Sequence, residues 1–505
     1  MPERAFYVTT PIYYISGNPH IGHAYTTVVA DVLARTARTA GDAFFLTGTD
    51  EHGQKVAEAA AAAGVSPQIW CDRLIPRWQD LFARYQISYD DFIRTSQPRH
   101  ESVVQRVFER LRERGDIYLG KYEGWYCVQD ETFWLESKLI DGRCPTCGRT
   151  VEWVSEDSWF FALSKYRDRL LTYYRENPDW VRPRSVYNEM MAFLDEGLDD
   201  LSISRSNFDW GIPIPDGTGV IYVWFDALLN YLSAIDWSRD DARFNHYWPA
   251  SVQLVGKEIA RFHTLIWPAI LWALGEEAPQ LVFAHGWITL DGQKIGKSLG
   301  NAIDPFALAD RFGSDSIRYF LLREAHFGSD FSYSEAKIGQ RYNDELGNDL
   351  GNLFKRTLAM LQKYCDSVVP KPGTPLFSQL TDLPNRVETK ILALEFRDAL
   401  EAIWELVATL NRAIDERKPW TLHKNGETAA LNDLLYELCE GLRWLAVLLH
   451  PIMPEKSAQM WRQLGLSDAP TSSPYGTLTW GGMPAGTKTQ PGEALFPRIE
   501  LMLPT

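Results

Sequence analysis

The hydrophobic pattern of the first fifty residues alternates between strand-like and helix-like stretches. Residues 5–15 are rich in β-branched and aromatic side chains, which predicts a strand. Residues 20–40 carry apolar side chains three and four positions apart, which predicts a helix that ends at Gly41. Residues 43–48 are apolar throughout and predict a buried second strand. A strand, a helix and a strand in this order begin many nucleotide-binding α/β folds.

The pattern changes in the middle of the chain. From residue 116 the sequence is aromatic, with glycines, cysteines and short strand-like pieces, which predicts an insertion with its own small core. Residues 220–236, 252–256 and 281–290 return to the apolar pattern of a buried α/β core, and we expect the last two to be core strands.

Beyond residue 335 the rhythm is almost wholly helical, which predicts a helical C-terminal domain. Residues 431–449 predict an amphipathic helix that Pro451 stops, and we expect a loose tail after residue 468. These changes divide the chain into five segments. We predict an α/β domain in two halves, at residues 1–115 and 220–299, with an insertion at residues 116–219 between them. A linker at residues 300–345 and a helical domain at residues 346–505 follow.

Composition narrows the class of protein. The chain has 505 residues and a formal net charge of −15, so global charge gives no support to nucleic-acid binding, and any basic surface must be local. It has no apolar run long enough to span a membrane and no N-terminal signal peptide pattern, so we expect a cytoplasmic protein that does not bind membranes. Six cysteines in a chain of this length do not indicate a disulfide framework.

Two histidines begin the first predicted helix, in the pattern His20-x-Gly22-His23. They lie three apart and so share one helix face, and the N-terminus of a helix attracts phosphate groups. Two imidazoles there could stabilise charge that develops on a triphosphate, and Gly22 would let an adenine ring lie against the backbone. Alternatively, the pair is only a surface feature after a turn.

A glycine-rich segment far along the chain carries two lysines, Lys294 and Lys297. Such a segment could close over pyrophosphate and supply positive charge while it excludes water. Taken alone, a lysine-bearing turn is usually only a solvated loop. The two motifs together, with an α/β core between them, resemble the two hallmark motifs of class I aminoacyl-tRNA synthetases.

The resemblance is closest to the methionyl-tRNA synthetases and covers essentially the whole chain. It is carried by the blocks FYVTTPIYYISGNPHIGHAYTTVVADVLAR, FLTGTDEHGQKV, FDWGIPIP, YVWFDALLNYL, LVGKEIARFHTLIWPA, AHGWITLDGQKIGKSLGN and NDLGNLFKR. The resemblance implies a Rossmann-type catalytic domain with a zinc-knuckle-like insertion, a linker at 300–345 that contacts the tRNA stem, and an all-α anticodon-binding domain. It also implies ATP-dependent activation of L-methionine and its transfer to tRNA(Met), including initiator tRNA.

The resemblance implies a methionine pocket of apolar and aromatic residues, as a thioether requires. Asp50 would bind the ammonium group, and Tyr231 and His263 would place polar hydrogens near the sulfur. The full implied pocket comprises Ile12, Tyr14, Asp50, Trp224, Ala227, Leu228, Tyr231, Ile259 and His263.

For ATP, the resemblance implies that Gly256 and Glu258 hold the ribose. The phosphate contacts would come from His20, Gly22, His23, Lys294 and Lys297, with Mg²⁺ assisting. Two positions depart from the family pattern: Glu258 stands where Asp is usual, and Gly296 where Ser is frequent. Glu258 keeps the carboxylate but shifts its reach, and Gly296 loosens the loop while both lysines remain.

The insertion carries Cys127-x-x-Asp130 and Cys144-x-x-Cys147, two ligand pairs at the spacing of a zinc knuckle. The zinc-binding relatives have Cys or His at all four positions, so Asp130 is a departure. Two interpretations stay open: a structural zinc site with three thiolates and one carboxylate, or a knuckle that has lost its metal.

In the helical domain the resemblance assigns Asn352, Arg356 and Trp420 to the CAU anticodon. Asn352 and Arg356 are four apart and project from one helix face, and an aromatic side chain can stack on a splayed base. Without the resemblance these residues would be interpreted as a cap, a surface cation and a core tryptophan.

Two other functions are compatible with parts of the sequence. Another adenylyl-transferring enzyme with an HxGH motif would need no anticodon residues. A non-catalytic tRNA-binding relative would have no use for His20, His23 and Lys297. We expect a monomer.

Overall fold

The computed structural model describes most of the chain. The described residues are 5–130, 132–134, 136–206, 208–215, 217–290, 292–295, 301–377, 380–467, 469–470 and 475–500. They form two compact units. The first unit comprises Met1–Pro19, Ala43–Asp80 and Tyr89–His285, and the second comprises His20–Asp42, Leu81–Ser88 and Gly286–Thr505.

The strands of the described residues are mostly short. They are β1 Phe6–Thr9, β2 Tyr13–Tyr14, β3 Ala43–Asp50, β4 Asp91–Arg94, β5 Ile117–Cys127, β6 Thr132–Trp134, β7 Glu152–Phe161, β8 Val181–Arg182, β9 Leu201–Ser202, β10 Ser204–Arg205, β11 Val220–Ile221, β12 Val252–Gly256, β13 Val282–His285, β14 Ile288–Leu290, β15 Gln293–Lys294 and β16 Phe331–Ser332.

The helices include long ones at both ends of the chain. They are α1 Ile21–Ala40, α2 Gln54–Ala62, α3 Pro67–Arg84, α4 Pro98–Glu113, α5 Arg167–Glu176, α6 Arg184–Glu196, α7 Val223–Leu228, α8 Asn230–Ser233, α9 Asp241–Tyr247, α10 Trp267–Leu274, α11 Pro305–Phe312, α12 Ser314–Arg323, α13 Glu335–Arg341, α14 Asn352–Cys365, α15 Leu383–Leu392, α16 Phe396–Arg417, α17 Pro419–Asn425, α18 Thr428–Leu449 and α19 Pro454–Gln463. Two π-helical segments, Phe262–Ile266 and Tyr342–Gly351, precede α10 and α14. Among the described residues, no helix has the length and apolar character to cross a membrane.

A parallel sheet forms the core of the first unit, in the order β2-β3-β1-β12-β13-β8, with β4 also paired to β3. All its pairings are parallel, which confirms the predicted α/β class. Because the strands run in one direction, their carboxyl ends lie along one edge of the sheet, where ligands bind in open α/β folds.

The predicted strand at 5–15 is two strands. β1 pairs with the start of β3, and β2 pairs with its end through Tyr14 and Asp50. The interruption falls around Pro11, which has no N–H group to donate to a ladder. The prediction of one continuous strand was therefore wrong, although both halves lie along the same neighbour.

The predicted strand at 281–290 is also two strands, which belong to different sheets. β13 lies in the parallel sheet, whereas β14 pairs with β15 and β16 in the second unit. At the start of the second unit, Gly286 lies so close to the backbone of Ser329 that a Cβ atom would come within 2.4 Å of it. A continuous apolar run could not reveal this change of partner.

The insertion is built on a long antiparallel hairpin. β5 and β7 pair from Ile117–Phe161 to Tyr126–Glu152, and β6 and β9 extend the sheet on either side. The far end of this hairpin leads into the segment that carries Cys144 and Cys147.

In the second unit, α18 is buried on almost every face from Leu434 to Leu449. Its buried Glu440 pairs with Arg443 and accepts hydrogen bonds from the backbone N–H groups of Gly481 and Met483. The predicted exposed polar face is wrong, because residues 475–483 contact it. For the same reason the described part of the predicted loose tail is packed: Tyr475 and Met483 are buried.

Candidate active site

His20 and His23 lie at the start of α1, as predicted, and they are bonded to each other's backbone. His20 is the N-cap residue, and its Nδ1 accepts a hydrogen bond from the Gly22 N–H at 3.1 Å. The Nδ1 of His23 accepts one from the His20 N–H at 3.0 Å, and the ring centroids are 3.8 Å apart. The two imidazoles therefore satisfy N–H groups that a helix start otherwise leaves unpaired.

This bonding fixes the tautomer of both rings. A backbone N–H only donates, so each Nδ1 acts as an acceptor, and in the neutral rings the proton is on Nε2. Each histidine then offers an Nε2–H donor. Gly22 is required by the same geometry, since a Cβ atom there would come within 2.9 Å of the His20 ring.

The lysine segment is only partly described. The backbone of Lys294 pairs with Thr289 in the hairpin of β14 and β15. The Lys294 side chain, Gly296 and Lys297 lie outside the described residues, so their contacts with phosphate stay a prediction.

Gly256 ends β12, and Glu258 folds back over it. A Cβ atom on Gly256 would come within 2.6 Å of Glu258 Oε2. Because Gly256 has no side chain, there is room for Glu258, whose side chain is one methylene longer than that of Asp. The carboxylate lies at the carboxyl end of a central strand.

Several predicted pocket residues lie together in the first unit. Ile12, Tyr14, Trp224 and Ile259 are partly buried against the main apolar core, while Ala227, Leu228 and Tyr231 are buried in it or beside it. Asp50 ends β3 in register with Tyr14. The Trp224 indole stacks on Phe262, with centroids 3.8 Å apart and planes 6° apart. The sequence did not single out Phe262.

Tyr231 and His263 bond to each other. The Tyr231 hydroxyl lies 2.8 Å from His263 Nε2, and His263 Nδ1 lies 3.0 Å from the Ile259 carbonyl oxygen. A carbonyl only accepts, so Nδ1 carries a proton, and burial lowers the pKa of His263 to about 4, which keeps the ring neutral. Nε2 must then accept from Tyr231.

The prediction that these two side chains place polar hydrogens near the sulfur stays a prediction. The Tyr231 hydroxyl donates to His263, and the His263 Nδ1–H donates to the Ile259 carbonyl oxygen, so the two rings are held in place relative to each other. The π-helical turn that carries His263 departs from α-helical bonding before Pro268, a residue with no N–H to donate. The carbonyl of Thr264, four residues before it, accepts the Tyr174 hydroxyl instead.

Sequence reasoning missed a buried polar network in the same unit. Asp226 accepts from His52 Nδ1 at 2.6 Å and from His100 Nε2 at 2.7 Å, and all three side chains are buried. His100 Nδ1 also lies 2.8 Å from the Ser233 hydroxyl. His52 and Asp226 belong to two of the family-like blocks, but nothing in their spacing indicates that they meet.

The four predicted zinc ligands converge. One ligand atom from each of Cys127, Asp130, Cys144 and Cys147 lies within 4.8 Å of the others. Cys127 Sγ is 3.5 Å from Cys147 Sγ, and Cys144 Sγ is 3.0 Å from Asp130 Oδ2. A tetrahedral zinc ion requires spacings of this kind, and the described cysteines form no disulfide. The donor set therefore fits zinc.

The predicted anticodon residues lie on helices of the second unit. Asn352 begins α14 and is exposed; Arg356, one turn later, pairs with Asp415 at 2.9 Å near the end of α16. Trp420 follows on α17 and is 49% exposed, which rules out the core tryptophan of the alternative interpretation. Tyr364 on α14 and His423 on α17 are in ring contact, so these two helices meet.

Comparisons with known proteins identify the family of this chain. The family described as tRNA synthetases class I (M) matches residues 6–152 and 138–358, and the anticodon binding domain of methionyl tRNA ligase matches residues 369–501. A methionine–tRNA ligase of Caldanaerobacter subterraneus is 50% identical over 99% of this chain and 80% of its own length. One of Thermotoga maritima is 45% identical over 98% and 80%.

A solved structure gives the same result. The Mycobacterium tuberculosis methionyl-tRNA synthetase in complex with methionyl-adenylate superposes with a TM-score of 0.93 at 41% identity, covering 98% of this chain and 100% of that one. The matches extend over both the α/β part and the helical part of the chain. The chain therefore belongs to the methionyl class I aminoacyl-tRNA synthetases, the methionine–tRNA ligases.

Proposed function

We propose that this protein activates L-methionine with ATP, releases pyrophosphate, and transfers the methionyl group from the adenylate to the 3′ end of tRNA(Met), including initiator tRNA. The carboxylate of methionine attacks the α-phosphorus, so no protein side chain becomes covalently bonded. Catalysis then consists of positioning and of stabilising phosphate charge. The observation that carries the proposal is the histidine pair at the start of α1, in which each Nδ1 accepts a backbone N–H, so that Nε2–H is the donor of each neutral ring.

In this proposal ATP is bound through its phosphates and its ribose. His20 and His23 donate from Nε2 to phosphate oxygens, and the Gly22 backbone admits the base. Glu258, folded over Gly256, accepts from the ribose hydroxyls. Lys294 and Lys297 add positive charge, and Mg²⁺ would neutralise further phosphate charge when bound.

The methionine side chain would occupy the aromatic wall of the first unit. Asp50 binds the ammonium group, and its place at the carboxyl end of β3 supports this role. Trp224, stacked on Phe262, supplies a flat apolar surface for the thioether. Tyr231 and His263 act as a fixed neutral wall, which favours an uncharged side chain.

We also propose a structural zinc ion in the insertion, held by Cys127, Cys144, Cys147 and Asp130. The convergence of their ligand atoms supports this assignment. The ion would cross-link the turn after β5 to the segment before β7, a part of the chain with few buried side chains. Its role is to hold the insertion in shape, since three thiolates and a carboxylate leave no open position for a substrate.

For tRNA, we propose that Trp420 stacks on an anticodon base while Asn352 and Arg356 read base edges. The exposure of Asn352 and of the Trp420 ring supports this division of roles. We further propose that the protein acts in the cytoplasm and as a monomer.

Methionine-dependent exchange of labelled pyrophosphate into ATP tests the first half of this function. We expect rapid exchange in the unsubstituted protein and a loss of about 100-fold or more in Lys297→Ala, comparable to losing a transition-state donor. Lys138→Ala, which removes an exposed lysine paired with Glu196, is the matched control and should exchange normally. Faster exchange with another amino acid would overturn the assignment of the substrate.

A further inference from the structure

A buried carboxylate between two histidines is an unusual feature of the first unit. Asp226, His52 and His100 are 0%, 3% and 0% exposed, and the two imidazoles donate to different oxygens of one carboxylate. Burying charged or polar groups costs free energy of desolvation, and apolar side chains of similar size would fill the same space without this cost. The arrangement therefore points to a requirement for defined geometry.

The network joins the parts of the chain to which we assign methionine binding. His52 is two residues beyond Asp50, in the turn after β3. Asp226 lies on α7, between Trp224 and Ala227. His100, near the start of α4, connects the carboxylate onward to Ser233 on α8. One carboxylate thus links the turn that follows Asp50 to the short helix that carries Trp224.

The turn after β3 is held on its other side as well. The Trp210 indole N–H donates to the Glu51 carbonyl oxygen at 2.5 Å, and the Gly53 N–H donates to the Trp210 carbonyl oxygen at 3.1 Å. The Glu51 carboxylate accepts from Arg94 at 2.6 Å. These bonds hold the residues on both sides of His52, so the turn after Asp50 is a fixed reference, and His52 passes its position to Asp226 and thus to α7.

We propose that Asp226 is a positioning residue for methionine. Through His52 and His100 it fixes the distance between the Asp50 carboxylate, which takes the ammonium group, and the Trp224 ring, which takes the side chain. This inference rests on the proposed function. Asp226 itself does not touch the substrate; it acts through the elements that do.

The electrostatics of the network agree with this role. Burial favours the neutral form of Asp226, but the histidines outweigh it and keep the pKa of that carboxyl below its ordinary value. Burial also opposes charge on His52, yet Asp226 beside it raises the pKa of this imidazole above its usual value. Both shifts favour the charge states in which Asp226 and His52 attract each other.

The test separates the Michaelis constants of the two substrates in the exchange assay. In Asp226→Asn we expect KM for methionine to rise about 10-fold or more, because small displacements of a bound substrate are costly, while KM for ATP stays within about 2-fold. His52→Leu should behave in the same way. His52→Asn should recover most of the loss, because its amide N–H can replace the Nδ1–H donor.

Glu440→Gln is the matched control. It also neutralises a buried, cation-paired carboxylate, but in a helix with no part in methionine binding. We expect it to lower the unfolding temperature without changing KM for methionine. If Asp226→Asn changed both Michaelis constants equally, or only stability as Glu440→Gln does, the inference would be wrong. Absence of methionine-dependent exchange in the unsubstituted protein would instead overturn the proposed function.

Discussion

At the scale of single residues, the side chains of His20 and His23 each perform two tasks. Each Nδ1 accepts a backbone N–H at the start of α1, which stabilises the helix. Each Nε2–H is assigned to phosphate. The two tasks use opposite sides of the imidazole ring, so a substitution can remove one and retain the other.

Substitution by asparagine separates helix capping from phosphate binding. Its side-chain oxygen can accept the backbone N–H in place of Nδ1, but it has no group in the position of Nε2–H. For His20→Asn and His23→Asn we expect the free energy of unfolding to stay within about 0.5 kcal/mol, because Asn is a good N-cap residue at position 20 and its side-chain oxygen at position 23 can accept the His20 N–H. We expect pyrophosphate exchange to fall by about 100-fold. Urea unfolding and the exchange assay measure the two effects, and full activity in either variant would remove that histidine from the proposed chemistry.

The candidate residues could be named from the sequence, but the hydrogen bonds between them could not be predicted from it. The spacing of His20 and His23 predicts a shared helix face, which the structure has. It cannot show that Tyr231 donates to His263, or that His52 and Asp226 meet, because these contacts join residues separated by 32 and 174 positions. Such pairs are set by tertiary packing, for which local periodicity carries no information.

At the scale of elements, boundaries were predictable where a cap or a breaker marks them. α1 begins beside His20 and ends before Gly41, within a residue of the predicted range. The strand at 281–290 and the polar face of α18 were mispredicted, because an apolar run does not indicate which sheet it joins and a polar residue does not indicate what will cover it. Glu440 is buried because the chain after residue 475 supplies its hydrogen bonds.

The knuckle of the insertion gives a prediction at this scale. Elemental analysis of the purified protein should find about one zinc per chain, because structural sites of this type bind zinc tightly. Cys144→Ser should lower the zinc content and increase proteolysis within residues 120–155. Cys365→Ser, a thiol outside the cluster, should leave both unchanged. Zinc-free protein with an intact insertion would favour a knuckle without metal.

The end of α18 gives a second prediction, on pH. Neither ring nitrogen of His450 has a hydrogen-bond partner among the described residues, and burial lowers the pKa of this imidazole to about 4. The unfolded chain takes up the proton near pH 6.5, so His450 stabilises the fold above that pH, and this contribution is lost as pH falls towards 4.

Replacing this histidine removes the effect. Between pH 6.5 and 4.5, the unfolding free energy of His450→Leu should fall less steeply than that of the unsubstituted protein, by up to about 1.4 kcal/mol per pH unit. Other titrating groups are common to both proteins, so the difference in slope reports His450. Equal slopes in urea titrations would show that the imidazole is protonated in the folded state.

At the scale of the whole molecule, a net charge of −15 coexists with a proposed tRNA-binding face. Three exposed cations, Arg417, Lys418 and Lys424, lie close to Trp420 in the sequence and are candidates for phosphate contacts, although the exposed acids Asp415 and Glu416 precede them. The residues assigned to the anticodon, Asn352, Arg356 and Trp420, are different from those assigned to the activation of methionine. The two activities should therefore respond separately to substitution.

Trp420→Ala tests that separation. Loss of one stacked base should lower kcat/KM for tRNA charging by about 10- to 100-fold, as stacking contributes about 1–3 kcal/mol. Pyrophosphate exchange, which needs no tRNA, should be unchanged and serves as the internal control. Equal losses in both assays would indicate damage to the fold, and no loss in charging would remove Trp420 from the anticodon site.

The most direct test of the central claim is attachment of labelled amino acids to tRNA. The account predicts that methionine is esterified to the 3′-terminal adenosine of a tRNA with the anticodon CAU, only when ATP is present. A matched tRNA with a changed anticodon should be charged far more slowly. Preferential attachment of any other amino acid, or charging that does not depend on ATP, would contradict the account.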